Sequence, residues 1–106
     1  MAVLNDLKPG LHENVYERAL AIELQDRGVL IEQQRRFDIV YRGHFVGRLI
    51  PDLIVENLVI VDAKVVTAFN ESHMAQMLGY LAITRLRVAL LLNFRSATLE
   101  WKRVVR

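Results

Sequence analysis

The chain has 106 residues, 53% of them hydrophobic, enough for one compact core and too few for two, so it reads as a single domain over residues 1–106. Fourteen basic against twelve acidic side chains leave a net charge of +2, which permits a nucleic-acid partner without demanding one. With no cysteine, disulfides, iron–sulfur clusters and thiol catalysis are excluded, and a bound metal must use oxygen or imidazole ligands, which points to a hard cation.

Lys8-Pro9-Gly10 interrupts the chain, and the residues from Leu11 onward suit a helix over about 11 to 27, with Gly28 as its stop. From Leu30 to Tyr41, Phe37, Ile39 and Tyr41 recur at period two, and Arg42-Gly43-His44 supplies a turn, so a strand and hairpin are expected. The next strand is expected from Phe45 to Val55, followed by a tight turn at Glu56-Asn57. Leu58 to Val66 is nearly continuous in apolar residues and reads as a central strand buried on both faces. Asn70 is a good N-cap for a helix ending near Thr84, in which Met74, Met77, Leu78 and Leu81 form the apolar stripe. Val88 to Phe94 reads as a buried strand, and Thr98 to Val105, with Glu100, Lys102 and Arg103, as an edge strand. No opening segment has the pattern of a signal peptide and no apolar run has the length of a membrane span, so no membrane partner and a cytoplasmic location are expected.

Charges inside the most apolar stretches are the informative ones, because burying a charge costs several kcal/mol. Asp62 and Lys64 lie two apart within Val59 to Val66, so both side chains emerge on one face of the strand. If the turn centres on Glu56-Asn57 or one residue later, antiparallel pairing sets Asp52 opposite residue 61 or 62. Two carboxylates that close repel, and a divalent cation such as Mg²⁺ or Mn²⁺ resolves the repulsion. Glu13 falls on the helix stripe of Leu20 and Leu24, where it is either a buried acceptor or placed to reach a metal above the sheet. His73, Gln76 and Tyr80 share a stripe beside the Met and Leu residues. The amide of Gln76 could orient a water or a phosphate oxygen, and Tyr80 could bond Gln76 or stack on a base. Against these stand plainer readings: a structural Asp62–Lys64 ion pair, a surface Gln76, a core Tyr80, and His73 as a capping or solvated residue. The scattered basic residues Arg35, Arg36, Arg42, Arg48, Arg85, Arg87, Arg95, Lys102 and Arg103 are candidates for a phosphate-binding surface, although most such charges only solvate and the sequence does not select which of them line a groove.

Pro51-Asp52 followed by Asp62-Ala63-Lys64 resembles the PD-(D/E)XK motif of restriction-endonuclease-like nucleases, and Gln76-x-x-x-Tyr80 resembles the QxxxY element of their RecB-like branch. Gly10-Leu11-His12-Glu13-Asn14-Val15-Tyr16 is similar to the signature of the GxxExxY family, small prokaryotic proteins of that superfamily. The pattern along the chain gives the order α-β-β-β-α-β-β, and the resemblance implies an α/β fold with a restriction-endonuclease-like mixed β-sheet flanked by helices. It implies a metal-dependent nuclease acting on nucleic acid, DNA ahead of RNA, with Mg²⁺ or Mn²⁺ as cofactor. Asp52 and Asp62 would bind the metal with the Ala63 carbonyl, and Glu13 would support the metal or its waters. Lys64 would position the nucleophile or stabilise developing charge. The alternative is a catalytically silent nucleic-acid-binding or structural domain of the same fold, and a homodimer is a further expectation from the short edge strand.

Overall fold

A computed structural model describes residues 1–106. The elements in chain order are α1 (Ala2–Leu7), α2 (Glu13–Asp26), β1 (Ile31–Gln33), β2 (Phe37–Tyr41), β3 (His44–Leu49), β4 (Leu53–Val55), β5 (Val59–Lys64), α3 (Glu71–Thr84), β6 (Val88–Asn93) and β7 (Glu100–Val105). Strands β1, β4, β5, β6 and β7 form one mixed sheet in that order, and β2 and β3 form a separate two-stranded sheet. Only β5 and β6 are parallel, joined through α3. No helix is long and apolar enough to cross a membrane.

The expected mixed sheet flanked by helices is present, with three corrections. A first helix, Ala2–Leu7, precedes the expected one and buries Val3 and Leu4 against α2. The strand expected from Leu30 to Tyr41 is two strands, because Gln34 takes a left-handed φ of 54° and turns the chain out of the main sheet. The strand expected from Phe45 to Val55 also divides, at Ile50-Pro51-Asp52. Proline has no N–H to give a ladder, so β3 ends before it and β4 starts after it. The order is therefore α-α-β-β-β-β-β-α-β-β rather than α-β-β-β-α-β-β.

Both tight turns use left-handed residues. Arg42 and Gly43 (φ 49° and 79°) join β2 to β3, and Glu56 and Asn57 (φ 53° and 57°) join β4 to β5, the conformation that suits the twist of a hairpin. The second turn fixes the register at Leu53 opposite Val61 and Val55 opposite Val59.

The sheet is covered on both sides. On one face Leu53, Val61 and Ala63 pack with Val3, Leu4, Tyr16 and Leu20 of α1 and α2. On the other, Ile54, Ile60, Ala89 and Leu91 pack with Met77 and Leu81 of α3. Strand β5 is central and its four inner residues are all buried, as its apolar run requires. Leu78 leaves the expected stripe of α3 and is 46% exposed, while Met74 packs against the core.

Candidate active site

The chemistry gathers at the end of β5. Alternation along β5 puts Asp62 and Lys64 on the face of Ile60, the side covered by α3. The Lys64 Nζ lies 2.9 Å from Asp62 Oδ2 and donates to Gln76 Oε1 at 2.9 Å, and Gln76 Nε2 donates to the Tyr80 hydroxyl at 3.3 Å. A continuous chain of polar contacts thus runs from Asp62 through Lys64 and Gln76 to Tyr80. The helix that carries the last two is held at its start by a reciprocal cap: Asn70 Oδ1 accepts from His73 N and His73 Nδ1 accepts from Asn70 N, each at 3.1 Å. His73 is engaged in that cap.

Asp52 sits on the bend just before β4. Extending the β4–β5 register by one residue sets it opposite Asp62, and its Oδ2 accepts from the Ala63 N–H at 3.1 Å. The Ala63 N–H thereby ties the Asp52 side chain to β5. The two aspartate carboxyl groups are close enough to share a hydrogen bond when one is protonated.

Glu13 approaches from α2, on the opposite face of the sheet. Its Oε1 accepts from the Val65 N–H at 3.1 Å, just beyond Lys64. From there its charge acts on Lys64, and no group of three or more His, Cys, Asp or Glu side chains is gathered to hold an ion.

The loop before Glu13 is fixed by Tyr16, which is fully buried and stacks on Phe94 with ring centroids 5.0 Å apart. Its hydroxyl donates to the Lys8 carbonyl at 2.7 Å and accepts from Leu11 N at 3.0 Å. Asn93, also buried, clamps the strand exit by bonding both the N–H and the carbonyl of Val66.

Glu17 is a site residue that the sequence alone did not single out. It is only 7% exposed, and its Oε1 accepts from Gln34 Nε2 at 2.7 Å. Gln34 in turn donates its backbone N–H to the Asp52 carbonyl at 3.1 Å. The signal was available: Glu17 follows Glu13 by one helical turn and shares the stripe of Leu20 and Leu24.

Burial sets the electrostatics. It pushes the Asp52 carboxyl up to about 6; the Asp62 hydrogen bond opposes the rise, and Glu17 reinforces it through a hydrogen bond and its charge. Burial likewise raises Asp62 to about 6, with the Asp52 charge adding to the rise and Lys64 opposing it. Burial disfavours the Lys64 ammonium, but Asp62, Glu13 and Asp52 outweigh it and hold the pKa above the ordinary lysine value. Burial and the Asp62 charge raise the Tyr80 phenol. Two carboxyls that resist ionising together, beside a lysine held charged, are arranged to receive additional positive charge.

The donor chemistry fits a hard divalent cation. Such ions are commonly held by one or two carboxylates, with water and substrate phosphate completing the shell. Asp52 and Asp62 supply that pair, tied to β5 through the Ala63 N–H and to Lys64 Nζ respectively.

The sequence profile of the PD-(D/E)XK nuclease superfamily matches residues 1–104. A comparison with curated proteins finds no match. Among solved structures, SSO0001 superposes with a TM-score of 0.69 at 13% identity, covering 88% of this chain and 49% of that one. The alkaline exonuclease LHK-Exo from Laribacter hongkongensis superposes with a TM-score of 0.66 at 14% identity, covering 88% of this chain and 55% of that one. The chain thus spans about half the length of either protein. At these identities the likeness is one of fold.

Proposed function

This chain belongs to the PD-(D/E)XK nuclease superfamily, and from that premise we propose that it is a divalent-metal-dependent nuclease cleaving the phosphodiester backbone of DNA in preference to RNA. The observation that carries the reading is the facing pair of carboxyls, half-buried Asp52 and buried Asp62, with Lys64 Nζ 2.9 Å from Asp62. The Gly10–Glu13–Tyr16 and Gln76–Tyr80 spacings support a narrower placing in the GxxExxY family with a RecB-like element.

Asp52 and Asp62 would hold Mg²⁺ or Mn²⁺, with the Ala63 carbonyl as a further ligand. When bound, such an ion polarises a phosphoryl oxygen and lowers the pKa of water. Lys64, kept charged and aimed by Asp62 and Gln76, supplies fixed positive charge where the cleaved phosphate gathers negative charge. Glu13 holds the Val65 N–H and so fixes the strand end on which Lys64 stands. Tyr80 keeps Gln76 oriented toward Lys64.

A catalytically silent domain is the rival reading, and it draws on the same Asp62–Lys64 contact, which would then be a structural ion pair. Labelled single- and double-stranded DNA and RNA, incubated with Mg²⁺, Mn²⁺ or chelator, separate the two. Metal-dependent cleavage by the native protein and none by Asp62→Ala/Lys64→Ala supports the nuclease. Absence of cleavage on every substrate and metal favours the silent domain.

A further inference from the structure

The β2–β3 hairpin has a sheet of its own and a basic composition. Residues 35–48 carry Arg35, Arg36, Arg42 and Arg48 against the single Asp38, a net +3 in a protein whose total is +2. The hairpin is thus one of two basic stretches of the chain, the other being residues 85–106, where Arg85, Arg87, Arg95, Lys102, Arg103 and Arg106 face the single Glu100.

The arginines are interleaved with exposed apolar side chains. Val40, Tyr41, Phe45 and Val46 are each 58% to 59% exposed, although β-strands normally turn such residues to a core. The guanidinium of Arg35 lies 4.8 Å from the Phe37 ring centroid, that of Arg42 lies 5.1 Å from Tyr41, and that of Arg48 lies 5.4 Å from Phe45. Each pair offers a flat cationic plane together with an aromatic surface. Charge complementarity selects a polyanion as the occupant, and the aromatic surfaces select one that carries flat bases. The only acidic residue in the segment is occupied, since Asp38 accepts from Arg48 Nε at 3.2 Å.

The hairpin is also tied to the site. Its incoming foot is Gln34, whose N–H bonds the Asp52 carbonyl at 3.1 Å, and its outgoing foot runs through Ile50-Pro51 into Asp52. The five residues of β2 extend it by about 17 Å, roughly five base-pair steps at 3.4 Å each.

We propose that the β2–β3 hairpin is the substrate grip of this domain, with Arg42 and Arg48 binding the backbone phosphates and Tyr41 and Phe45 contacting bases within about five steps of the cleavage site. The inference rests on the nuclease reading and names where that substrate lies.

The test is anisotropy of labelled DNA, duplex and single-stranded, over a salt series in chelator, so that binding is read without cleavage. Arg42→Gln/Arg48→Gln is expected to weaken binding and to lower the salt slope by about 0.9 for each duplex phosphate no longer neutralised. Lys8→Gln/Arg27→Gln, which removes the same charge from exposed positions elsewhere, is expected to keep the native slope. Arg42→Lys/Arg48→Lys is expected to recover the slope but not all of the affinity, because lysine lacks the stacking plane. Equal urea midpoints establish that the variants are folded. If the native protein binds and the glutamine variant binds with equal affinity and slope, the grip is overturned and the nuclease reading stands. If the native protein binds no nucleic acid, both fall. If light scattering shows a dimer that Val40→Ser/Phe45→Ser dissolves while DNA binding persists, the hairpin face joins copies of this chain and the grip is likewise overturned.

Discussion

Replacing Asp52 with asparagine should stabilise the metal-free fold at neutral pH while removing activity. Asparagine keeps the shape and retains an oxygen to accept the Ala63 N–H, so the change isolates the charge. The Asp52 carboxyl moves from 3.8 to about 6 on folding, chiefly through burial. Below about pH 4 the carboxyl is protonated in both states and contributes no deficit. As the pH rises toward 6, the unfolded chain releases its proton first, and native stability falls until the folded group has ionised too. At 1.36 kcal/mol per pKa unit the full deficit is about 3 kcal/mol, which solvent screening at a half-buried group reduces to about 1 to 2 kcal/mol. A domain of this size gains about 4–8 °C in Tm per kcal/mol. Urea unfolding in chelator at pH 4, 5, 6, 7 and 8 measures it: native stability should decline from pH 4 to about 7 and then level off, and the Asp52→Asn curve should decline less and lie above it at pH 8. Adding Mg²⁺ should then raise the native midpoint and leave that of the variant in place. Coincident curves at pH 8, or a variant that is less stable there, would refute the buried-charge account.

The same groups set the pH dependence of activity: cleavage should rise between about pH 5 and 7 as Asp52 and Asp62 ionise, and a flat profile would exclude them from turnover. Lys64→Met should abolish cleavage while DNA binding in chelator persists, and loss of both would assign the lysine to the fold. Gln76→Ala should lower kcat by about ten- to a hundredfold, the value of one hydrogen bond to a charged group, and so do less harm than loss of either aspartate in single-turnover assays. Tyr16→Phe should cost about 1 to 3 kcal/mol in urea unfolding, because the Lys8 carbonyl and the Leu11 N–H both lose their partner.

The sequence was most legible where one pattern had no competitor. The continuous apolar run from Leu58 to Val66 could only be a central strand, and the spacing of Asp62 and Lys64 then fixed a shared face. The Glu56-Asn57 turn carried that inference across to Asp52. The breaks at Gln34 and Pro51 were hidden because strand-forming residues resume on the far side of each, Phe37 after Gln34 and Leu53 after Pro51, and local pattern does not reveal that a strand changes sheets. Helix α1 has six residues, too few to show a period. Glu17 was overlooked because its role is tertiary: its partners are Asp52 and, on a loop seventeen residues away, Gln34. The wheel likewise turned Glu13 inward but could not tell which face of the sheet its helix would cover.

The turn between β4 and β5 acts as a gauge for a site five residues away. Side chains alternate along a strand, so pairing shifted by one residue would send Asp52 and Asp62 to opposite faces while every ladder bond could still form. The two left-handed residues Glu56 and Asn57 forbid that slip. A one-residue insertion there would leave a sheet of ordinary appearance with its carboxylates unpaired. Loop length, and not only the identity of the acids, is therefore under constraint in this fold.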